Sequence, residues 1–301
     1  NWLVARGQDG TFVLRVEDID GPRTRPEAVT GNLAELAWLG LDWDEGPDVG
    51  GDHGPYLQSH RGELYSAALA RLVDAGVVFD CYLSRTDVSS ASSAPHGPAA
   101  VGRVYGQAQR RLNAEVSPAR AASGRTPSQR LTAGAGRVEF HDAFAGRQAF
   151  DIATDIGDIV LRRSDGLWAY QLAVCVDDAA MGITEVVRGA DLLASTAAQL
   201  LIYRALGLEA PSFAHVGSLL DADGARLSKR AGALSLGELE TGGAAPERVV
   251  GLLAASLGWL ESARPVSASS LLTEVDPAVL TSASAEPASL TRLDLDSLTR
   301  D

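Results

Sequence analysis

A single lysine, Lys229, stands among the 26 basic residues of this 301-residue chain, and all the others are arginine. It lies within the sequence Arg-Leu-Ser-Lys-Arg, shortly after a turn that contains glycine. An ammonium on a flexible stem is a compact, mobile charge that a planar guanidinium does not replace. Such a group suits a loop that closes on a polyphosphate. A chance lysine on a surface loop is the alternative.

Two further groups of charged residues follow apolar runs that are typical of strands. Glu17, Asp18 and Asp20 come directly after the run 11–16, where an open α/β sheet would bind a ligand. Arg188 follows the run 183–187, and an arginine at a strand end can hold a carboxylate with two hydrogen bonds. Tyr170 precedes the pair Asp177-Asp178. A solvated turn and structural ion pairs are the alternative interpretations.

Strands alternate with helices in the hydrophobic pattern, which predicts an α/β fold with a mainly parallel sheet. The run 11–16 predicts a buried parallel strand, and residues 158–162 with 168–176 predict a β-hairpin. Helices are expected over 26–39, 60–75, 195–206 and 246–259, strands over 77–82 and 213–220, and helical pieces after 262. The first residues, Asn1 to Arg6, resemble the end of a helix, so we expect the gene product to begin upstream.

Charge and composition exclude several classes of protein. The net charge is −13, which argues against a general nucleic-acid or membrane coat. Two cysteines cannot build a disulfide framework or a four-cysteine zinc site, and the longest apolar stretch is too short to cross a bilayer. Residues 85–147 differ from the rest: they carry nine arginines against four acidic residues. They predict a loosely structured insertion, either a linker or a surface for RNA backbone.

Five motifs occur together and in order, and they resemble the glutamyl-tRNA synthetase family of class I aminoacyl-tRNA synthetases. The short branch of that family, which glutamylates queuosine in tRNA(Asp), is the nearest match. Ile19 stands where the long enzymes usually have Thr, Val174 where they usually have Asn, and little chain follows the lysine loop. The motifs are LRVEDIDGPR (14–23), GLDWDEGP (40–47), GPYLQSHR (54–61), ITEVVRGADLL (183–193) and RLSKR (226–230).

The resemblance implies a Rossmann-like catalytic domain with an inserted subdomain and a short helical C-terminal extension. It implies a cytoplasmic enzyme without a membrane partner, which we expect to be a monomer. The implied division is residues 1–80 as the first part of the catalytic domain, 81–147 as the inserted zinc-type, acceptor-side subdomain, 148–236 as the second part with the KMSKS-like loop, and 237–301 as the helical C-terminal segment.

The resemblance also implies roles for individual residues. Glu17 would contact the amino group of bound glutamate, and Tyr170 and Arg188 would complete the glutamate pocket. Lys229, with Ser228, would steady the phosphates of ATP, which is used with Mg²⁺. Glutamate would then attack the α-phosphate, and the activated amino acid would pass to queuosine in tRNA(Asp). Positioning and cationic stabilisation would supply most of the catalysis.

Two departures from the family pattern affect these expectations. The family's first glutamate-binding segment and its HIGH-type ATP motif lie upstream of Asn1, so we expect the 301 residues alone to be inactive. At the family's four zinc positions this chain has Cys81, Leu83, Tyr105 and Gln109. Zinc usually takes four N, S or O ligands, so we expect tightly bound zinc to be lost.

Two alternatives to the short-branch enzyme remain open. The chain could be the catalytic part of a truncated glutamyl-tRNA synthetase, against which Val174 and the compact tail argue. It could also be a non-catalytic tRNA-binding paralogue, which the altered zinc positions and the basic insertion favour. The presence of Glu17, Tyr170, Arg188 and Lys229 argues against that second alternative.

Overall fold

The central four-stranded sheet of the computed structural model contains β3 (Arg137–Asp142), β4 (Gly146–Asp151), β6 (Glu185–Gly189) and β7 (Ser212–Val216). The order of the strands across this sheet is β4-β3-β7-β6. The pairs β3–β7 and β6–β7 are parallel, and β3–β4 is an antiparallel hairpin. The predicted α/β class with a parallel sheet is therefore confirmed. The register between β6 and β7 places Arg188 opposite His215.

The structure describes residues 1–21, 26–90, 104–220, 235–275, 288–289 and 298. Ser228 and Lys229 lie outside these residues, and so does most of the predicted helical tail. The described helices are α1 (Trp2–Gly7), α2 (Pro26–Trp38), α3 (Gly62–Asp74), α4 (Arg85–Ser90), α5 (Gln107–Ala122), α6 (Tyr170–Ala180), α7 (Leu193–Leu206), α8 (Leu236–Thr241), α9 (Pro246–Ser256) and α10 (Ala268–Glu274).

The predicted hairpin over 158–176 is wrong in its second half. Residues 159–162 form a strand, but the apolar run that follows is the helix α6, and Trp168 makes only one bridge to Arg162. Helix α6 is buried nearly all round, from Leu172 to Asp178. A continuous apolar run has no period that separates a buried helix from a buried strand. The neighbouring helices α3 and α7 pack on α6 and form the main core with it.

The predicted strand over 11–16 is also wrong, because this segment is extended but belongs to no ladder. Two isolated parallel bridges, Val13 to Glu45 and Val16 to Leu57, take the place of a ladder, and single backbone hydrogen bonds from neighbouring residues support them. Its partners lie in the glycine- and proline-rich loop 41–59. The segment is half-buried, and Glu17 follows directly after its last residue.

The basic segment 85–147 has more regular structure than the sequence predicts. Its described part contains α4, α5 and the strand β2 (Ser128–Leu131), which pairs antiparallel with β1 (Val78–Cys81) and β5 (Ile159–Arg162). Its last strand, β3, belongs to the central sheet. Arg110 on α5 forms two hydrogen bonds, of 2.6 and 2.5 Å, to the buried carboxylate of Asp158. The expectation of a loosely structured insertion was therefore wrong for these residues. The division of the chain into residues 1–80, 81–147, 148–236 and 237–301 stays a prediction.

The last described helices form a second core with the start of the chain. Trp2 from α1 and Leu39 after α2 are buried in it with Leu239 and Leu271. The backbone N–H of Gly237 on α8 also donates to Glu35 on α2, at 3.0 Å. Two short strands, β8 (Leu219–Leu220) and β9 (Ala288–Ser289), pair in parallel. Among the described residues, no helix combines the length and apolarity needed to cross a bilayer.

Gly157 joins the basic segment to the core in a backbone conformation that only glycine adopts readily. Its φ and ψ are 67° and −170°, and a Cβ there would lie 2.6 Å from the backbone nitrogen of Tyr105. We expect Gly157→Ala to lower the free energy of unfolding by about 2 kcal/mol or more, through backbone strain and overlap.

Chemical denaturation measures this loss, and Gly207→Ala is the matched control. Gly207 also has a positive φ, 61°, but open space surrounds its Cβ position. The control variant should lose only about 1 kcal/mol, the cost of a left-handed conformation. Equal losses in the two variants would contradict the role of the contact with Tyr105.

Candidate functional site

Two cavities meet beside Glu17 and Tyr170, which line both. The first cavity has a volume of about 870 Å³ and is also lined by Arg15, Asp178 and Arg188. The second cavity has a volume of about 1130 Å³, and arginines from several elements line it. The structure therefore brings three predicted site residues, Glu17, Tyr170 and Arg188, to one cavity. The fourth, Lys229, lies outside the described residues.

The start of α6 presents Tyr170 and Val174 to the first cavity. Residues four apart lie on one face of a helix, so Asp178 continues the same line along α6. All three side chains line the first cavity. Burial raises the pKa of the Tyr170 hydroxyl, and the Glu17 carboxylate raises it further, while Arg188 opposes the rise. Tyr170 therefore stays a neutral hydrogen-bonding group between an anion and a cation.

Arg188 is held by three neutral side chains behind the first cavity. Its Nε donates to Nε2 of His215 at 3.1 Å, and one Nη donates to Thr196 and to Gln199, both at 2.7 Å. The guanidinium carbon also lies 5.4 Å from the ring centre of Phe213. Among the described residues, no carboxylate lies close enough to Arg188 to form an ion pair with it. Its charge is fixed in place and available to an incoming anion.

Arg15 connects the acidic motif to α6. Its Nη1 donates to Asp178 at 2.8 Å, and its Nη2 donates to Glu17 over a long 3.4 Å contact. The Nε atom is buried without a hydrogen-bond partner and lies 3.7 Å from Asp177. These carboxylates raise the pKa of Arg15 and outweigh the effect of burial. Arg15 thus stays charged and places Glu17 at the cavity.

Burial raises the pKa of Glu17 more than the nearby Arg15 lowers it. Burial also raises the pKa of Asp178, against the same arginine. A carboxylate whose charge is destabilised by burial gains from a further cation nearby. The ammonium of an amino acid beside Glu17 would supply that cation. The cavity therefore offers an anionic group at Glu17 and a cationic group at Arg188.

The other two acidic residues of the motif, Asp18 and Asp20, do not line the first cavity. Asp18 accepts hydrogen bonds from the backbone N–H and the hydroxyl of Ser59, at 2.8 and 2.6 Å, and so joins the motif to the loop before α3. Asp20 pairs with Arg163 at 3.3 Å, and both line the second cavity. Of the three predicted carboxylates, only Glu17 reaches the cavity that holds Arg188.

The four family zinc positions lie close together in the structure. Cys81, Leu83 and Tyr105 are buried together, and the Cys81 thiol lies 3.5 Å from the Tyr105 hydroxyl. Both ends of the Gln109 amide are engaged: Oε1 accepts from Gly106 at 2.9 Å and Nε2 donates to the Val88 carbonyl at 3.4 Å. Within the described ranges, no group of three or more His, Cys, Asp or Glu side chains could hold a metal ion.

Comparisons with known proteins identify the family of the chain. The family model "tRNA synthetases class I (E and Q), catalytic domain" matches residues 1–295. The chain belongs to this family. A glutamyl-Q tRNA(Asp) synthetase of Symbiobacterium thermophilum is 50% identical over 275 residues, which is 91% of this chain and 85% of that protein.

Longer members of the class I (E and Q) synthetase family match over a smaller share of their length. A glutamate–tRNA ligase of Halorhodospira halophila is 42% identical and aligns with 94% of this chain but 59% of its own. The crystal structure of a glutamate-tRNA synthetase from Elizabethkingia anophelis has a TM-score of 0.80 at 23% identity, over 99% of this chain and 64% of that chain. The predicted family and its Rossmann-like class I fold are confirmed.

Several residues of this synthetase site are absent from the sequence prediction. Arg15 is a lone charge in an apolar run, a signal that favours a buried ion pair. Asp142 and His215 carry no comparable signal, because Asp142 is one of several polar residues in β3 and His215 lies in the short strand β7 without a motif around it. Thr196 and Gln199 lie on one face of a mostly apolar helix. Only the packing of α7 on the sheet brings these last four residues behind Arg188.

Asp177 ties the elements of the site together and should be indispensable for stability. It is fully buried and accepts hydrogen bonds from Arg61 at 2.6 Å and from Gln58 and Tyr65, each at 2.8 Å. We expect Asp177→Ala to lower the free energy of unfolding by about 3 to 5 kcal/mol, because it leaves the buried Arg61 guanidinium uncompensated.

Equilibrium unfolding by urea tests this, with Asp165→Ala as the matched control. Asp165 also pairs with an arginine, at 2.5 Å, but its side chain is half exposed. The control should change stability by about 1 kcal/mol or less. If Asp177→Ala lowered the free energy of unfolding by no more than the control does, the buried hydrogen bonds of Asp177 would contribute little to stability.

Proposed function

We propose that this chain catalyses the ATP-dependent activation of glutamate and its transfer to queuosine of tRNA(Asp). The observation that carries the proposal is the convergence of Glu17, Tyr170 and Arg188 on one cavity. The specific acceptor is supported by the name of the 50% identical relative, of which this chain spans 85%. Action as a cytoplasmic monomer is part of the same proposal.

The charges of the first cavity match those of an amino acid with an acidic side chain. Arg188 binds the side-chain carboxylate of glutamate through its remaining Nη group, since its Nε and its other Nη already donate to His215, Thr196 and Gln199. Glu17 accepts from the α-ammonium, and Tyr170 lies between the two groups. The α-carboxylate of the bound glutamate attacks the α-phosphate of ATP, and pyrophosphate leaves. Holding the reactants in this orientation supplies much of the rate enhancement.

Ser228 and Lys229 would bind the ATP phosphates in this scheme. Class I synthetases use ATP with Mg²⁺, and charge builds up on the phosphoryl oxygens as pyrophosphate leaves. A mobile ammonium near those oxygens stabilises the developing charge. This role rests on the match of the RLSKR motif to the KMSKS loop of the family, because both residues lie outside the described part of the chain.

The second cavity contains the arginine side chains that we assign to tRNA binding, together with four acidic residues, Glu17, Asp20, Asp158 and Asp165. Arg85, Arg125, Arg130 and Arg163 line it, and it meets the first cavity at Glu17 and Tyr170. Arginine side chains bind phosphate oxygens and supply most of the affinity for a nucleic-acid backbone. We propose that the modified nucleoside enters through this cavity and reaches the activated glutamate where the two cavities meet.

We also propose that this synthetase folds without tightly bound zinc. The apolar Leu83 and the engaged amide of Gln109 replace two of the four ligands that a tetrahedral site needs. Metal analysis of the purified protein should find zinc well below one atom per chain. A chelator should leave its unfolding temperature unchanged, because the packed cluster takes the place of the metal. Stoichiometric zinc that survives gel filtration would contradict the proposal.

Charging assays with the full gene product test the function directly. Glutamate and ATP are supplied with tRNA(Asp) that contains queuosine, with unmodified tRNA(Asp), and with tRNA(Glu). The proposal predicts glutamate-dependent ATP–pyrophosphate exchange without tRNA, and stable loading of the queuosine-containing tRNA only. Loading of tRNA(Glu) would favour the truncated glutamyl-tRNA synthetase. Binding of tRNA without any exchange would favour the non-catalytic paralogue.

The variant Arg188→Lys links that activity to the site. Lysine keeps the positive charge but loses the planar fork and its hydrogen bonds to His215, Thr196 and Gln199. We expect the KM for glutamate in the exchange assay to rise by roughly tenfold to a hundredfold, while the KM for ATP changes little. Arg147→Lys is the control. Arg147, on β4, forms an exposed ion pair with Glu139, and this variant should behave as wild type. An unchanged KM for glutamate in Arg188→Lys would contradict the assigned role.

A further inference from the structure

A carboxylate–imidazole pair is buried behind Arg188, outside the two cavities. Asp142 and His215 are both fully buried, and Oδ2 of Asp142 lies 2.5 Å from Nδ1 of His215. The other oxygen, Oδ1, accepts backbone hydrogen bonds from His215, Phe144 and Ala145, at 3.0, 3.1 and 2.8 Å. Both carboxylate oxygens are engaged, so Asp142 cannot rotate without losing several bonds.

The opposite nitrogen of the His215 ring faces two donors. Nε2 lies 3.1 Å from Nε of Arg188 and 3.2 Å from the Thr196 hydroxyl. A guanidinium only donates, so Nε2 must carry a free lone pair to bind Arg188. The proton of a neutral His215 then lies on Nδ1, where it is donated to Asp142. The two ends of the ring therefore require the same tautomer.

We propose that Asp142 and His215 are positioning residues that hold Arg188 in its glutamate-binding orientation by fixing this tautomer. The inference rests on the proposed function, because it assumes that Arg188 binds the glutamate carboxylate. Of the residues that the structure describes, neither member of the pair lines either cavity, so both act through Arg188. In the other tautomer, Nε2 of His215 would carry a proton and could no longer accept the hydrogen bond from Nε of Arg188.

Protonation of His215 would have the same effect as the wrong tautomer. Burial lowers the pKa of His215, and Arg188 lowers it further; together they outweigh the carboxylates of Asp142 and Asp191, which raise it. His215 is therefore neutral at neutral pH, and its second proton arrives only below the ordinary histidine range. The KM for glutamate should be constant near neutral pH and rise as the solution is acidified.

The substitution Asp142→Asn tests the proposal with little change of shape. Three backbone N–H groups hold the position of Oδ1, so the amide oxygen of Asn takes that position and its NH₂ group faces Nδ1. Nδ1 must then accept, and the proton moves to Nε2. Serine proteases undergo the same switch of tautomer when the buried Asp of the catalytic triad becomes Asn.

Two readouts separate this role from a merely structural one. Nitrogen-15 spectra of histidine-labelled protein should show Nδ1–H for His215 in the wild type and Nε2–H in Asp142→Asn; His215→Gln assigns the signal among the five histidines. In ATP–pyrophosphate exchange, Asp142→Asn should raise the KM for glutamate by roughly tenfold to a hundredfold. The KM for ATP and the kcat should change much less.

Glu139→Gln is the matched control on the same strand. It also removes one negative charge, but its partner is the exposed Arg147, at 2.7 Å. It should leave both the tautomer and the KM for glutamate unchanged. If Asp142→Asn does not fold, His215→Gln and His215→Leu replace it: the amide keeps an acceptor for Arg188, so its KM should rise less than that of the apolar variant.

The outcomes distinguish this inference from the proposed function. An Nε2–H tautomer in the wild type would overturn the inference, and so would equal KM values for His215→Gln and His215→Leu. Exchange by the wild type with an unchanged KM for glutamate in Asp142→Asn would overturn the positioning role alone. A folded full gene product that shows no glutamate-dependent exchange would instead overturn the proposed function.

Discussion

Two adjacent buried carboxylates on α6, Asp177 and Asp178, constrain the rest of the site. Neighbouring residues on a helix point in different directions, so the two side chains require partners from different elements. Arg61, before α3, pairs with Asp177 at 2.6 Å, and Arg15, from the extended segment 11–16, pairs with Asp178 at 2.8 Å. A buried carboxylate without such a partner would cost several kcal/mol. The segments before and after the loop 41–59 are therefore held against α6.

The same constraint places the groups that face the substrate. Arg15 also reaches Glu17, two residues later, so the pairing on α6 fixes the acidic side of the first cavity. Tyr170 lies two turns before Asp178 on the same helix face. Arg188 approaches from the central sheet, where neutral groups hold it. Charged side chains that are already held in position lose little conformational entropy when a ligand binds. This favours both affinity and catalysis.

Chemistry in this molecule was easier to predict from sequence than local structure. The motifs around Glu17, Tyr170 and Arg188 led to the correct family, and these residues do meet at one cavity, although Tyr170 was placed on a strand. The error arose because a helix buried on all sides has the same apolar run as a buried strand. The strand predicted over 11–16 was wrong for the opposite reason. The residues of this segment favour a strand, but it forms only isolated bridges with the loop 41–59.

Other parts of the site were invisible because they depend on contacts between distant residues. Asp142 and His215 are 73 positions apart, and only the pairing of β3 with β7 brings them together. Regular structure in the basic segment was also missed, since its Ala, Ser, Gly and Pro content is typical of linkers. There, burial of Tyr105 and the ion pair between Arg110 and Asp158 supply the order that composition does not indicate.

The central claim is that the first cavity holds a fixed anion and a fixed cation before any ligand arrives. Calorimetric titration of the full gene product with glutamate, and separately with glutamine, measures this most directly. Glutamine has the same shape but lacks the side-chain charge. The account predicts that glutamate binds and that glutamine binds at least about tenfold more weakly, since a charged hydrogen bond to arginine is lost. Equal affinity for the two amino acids would contradict it.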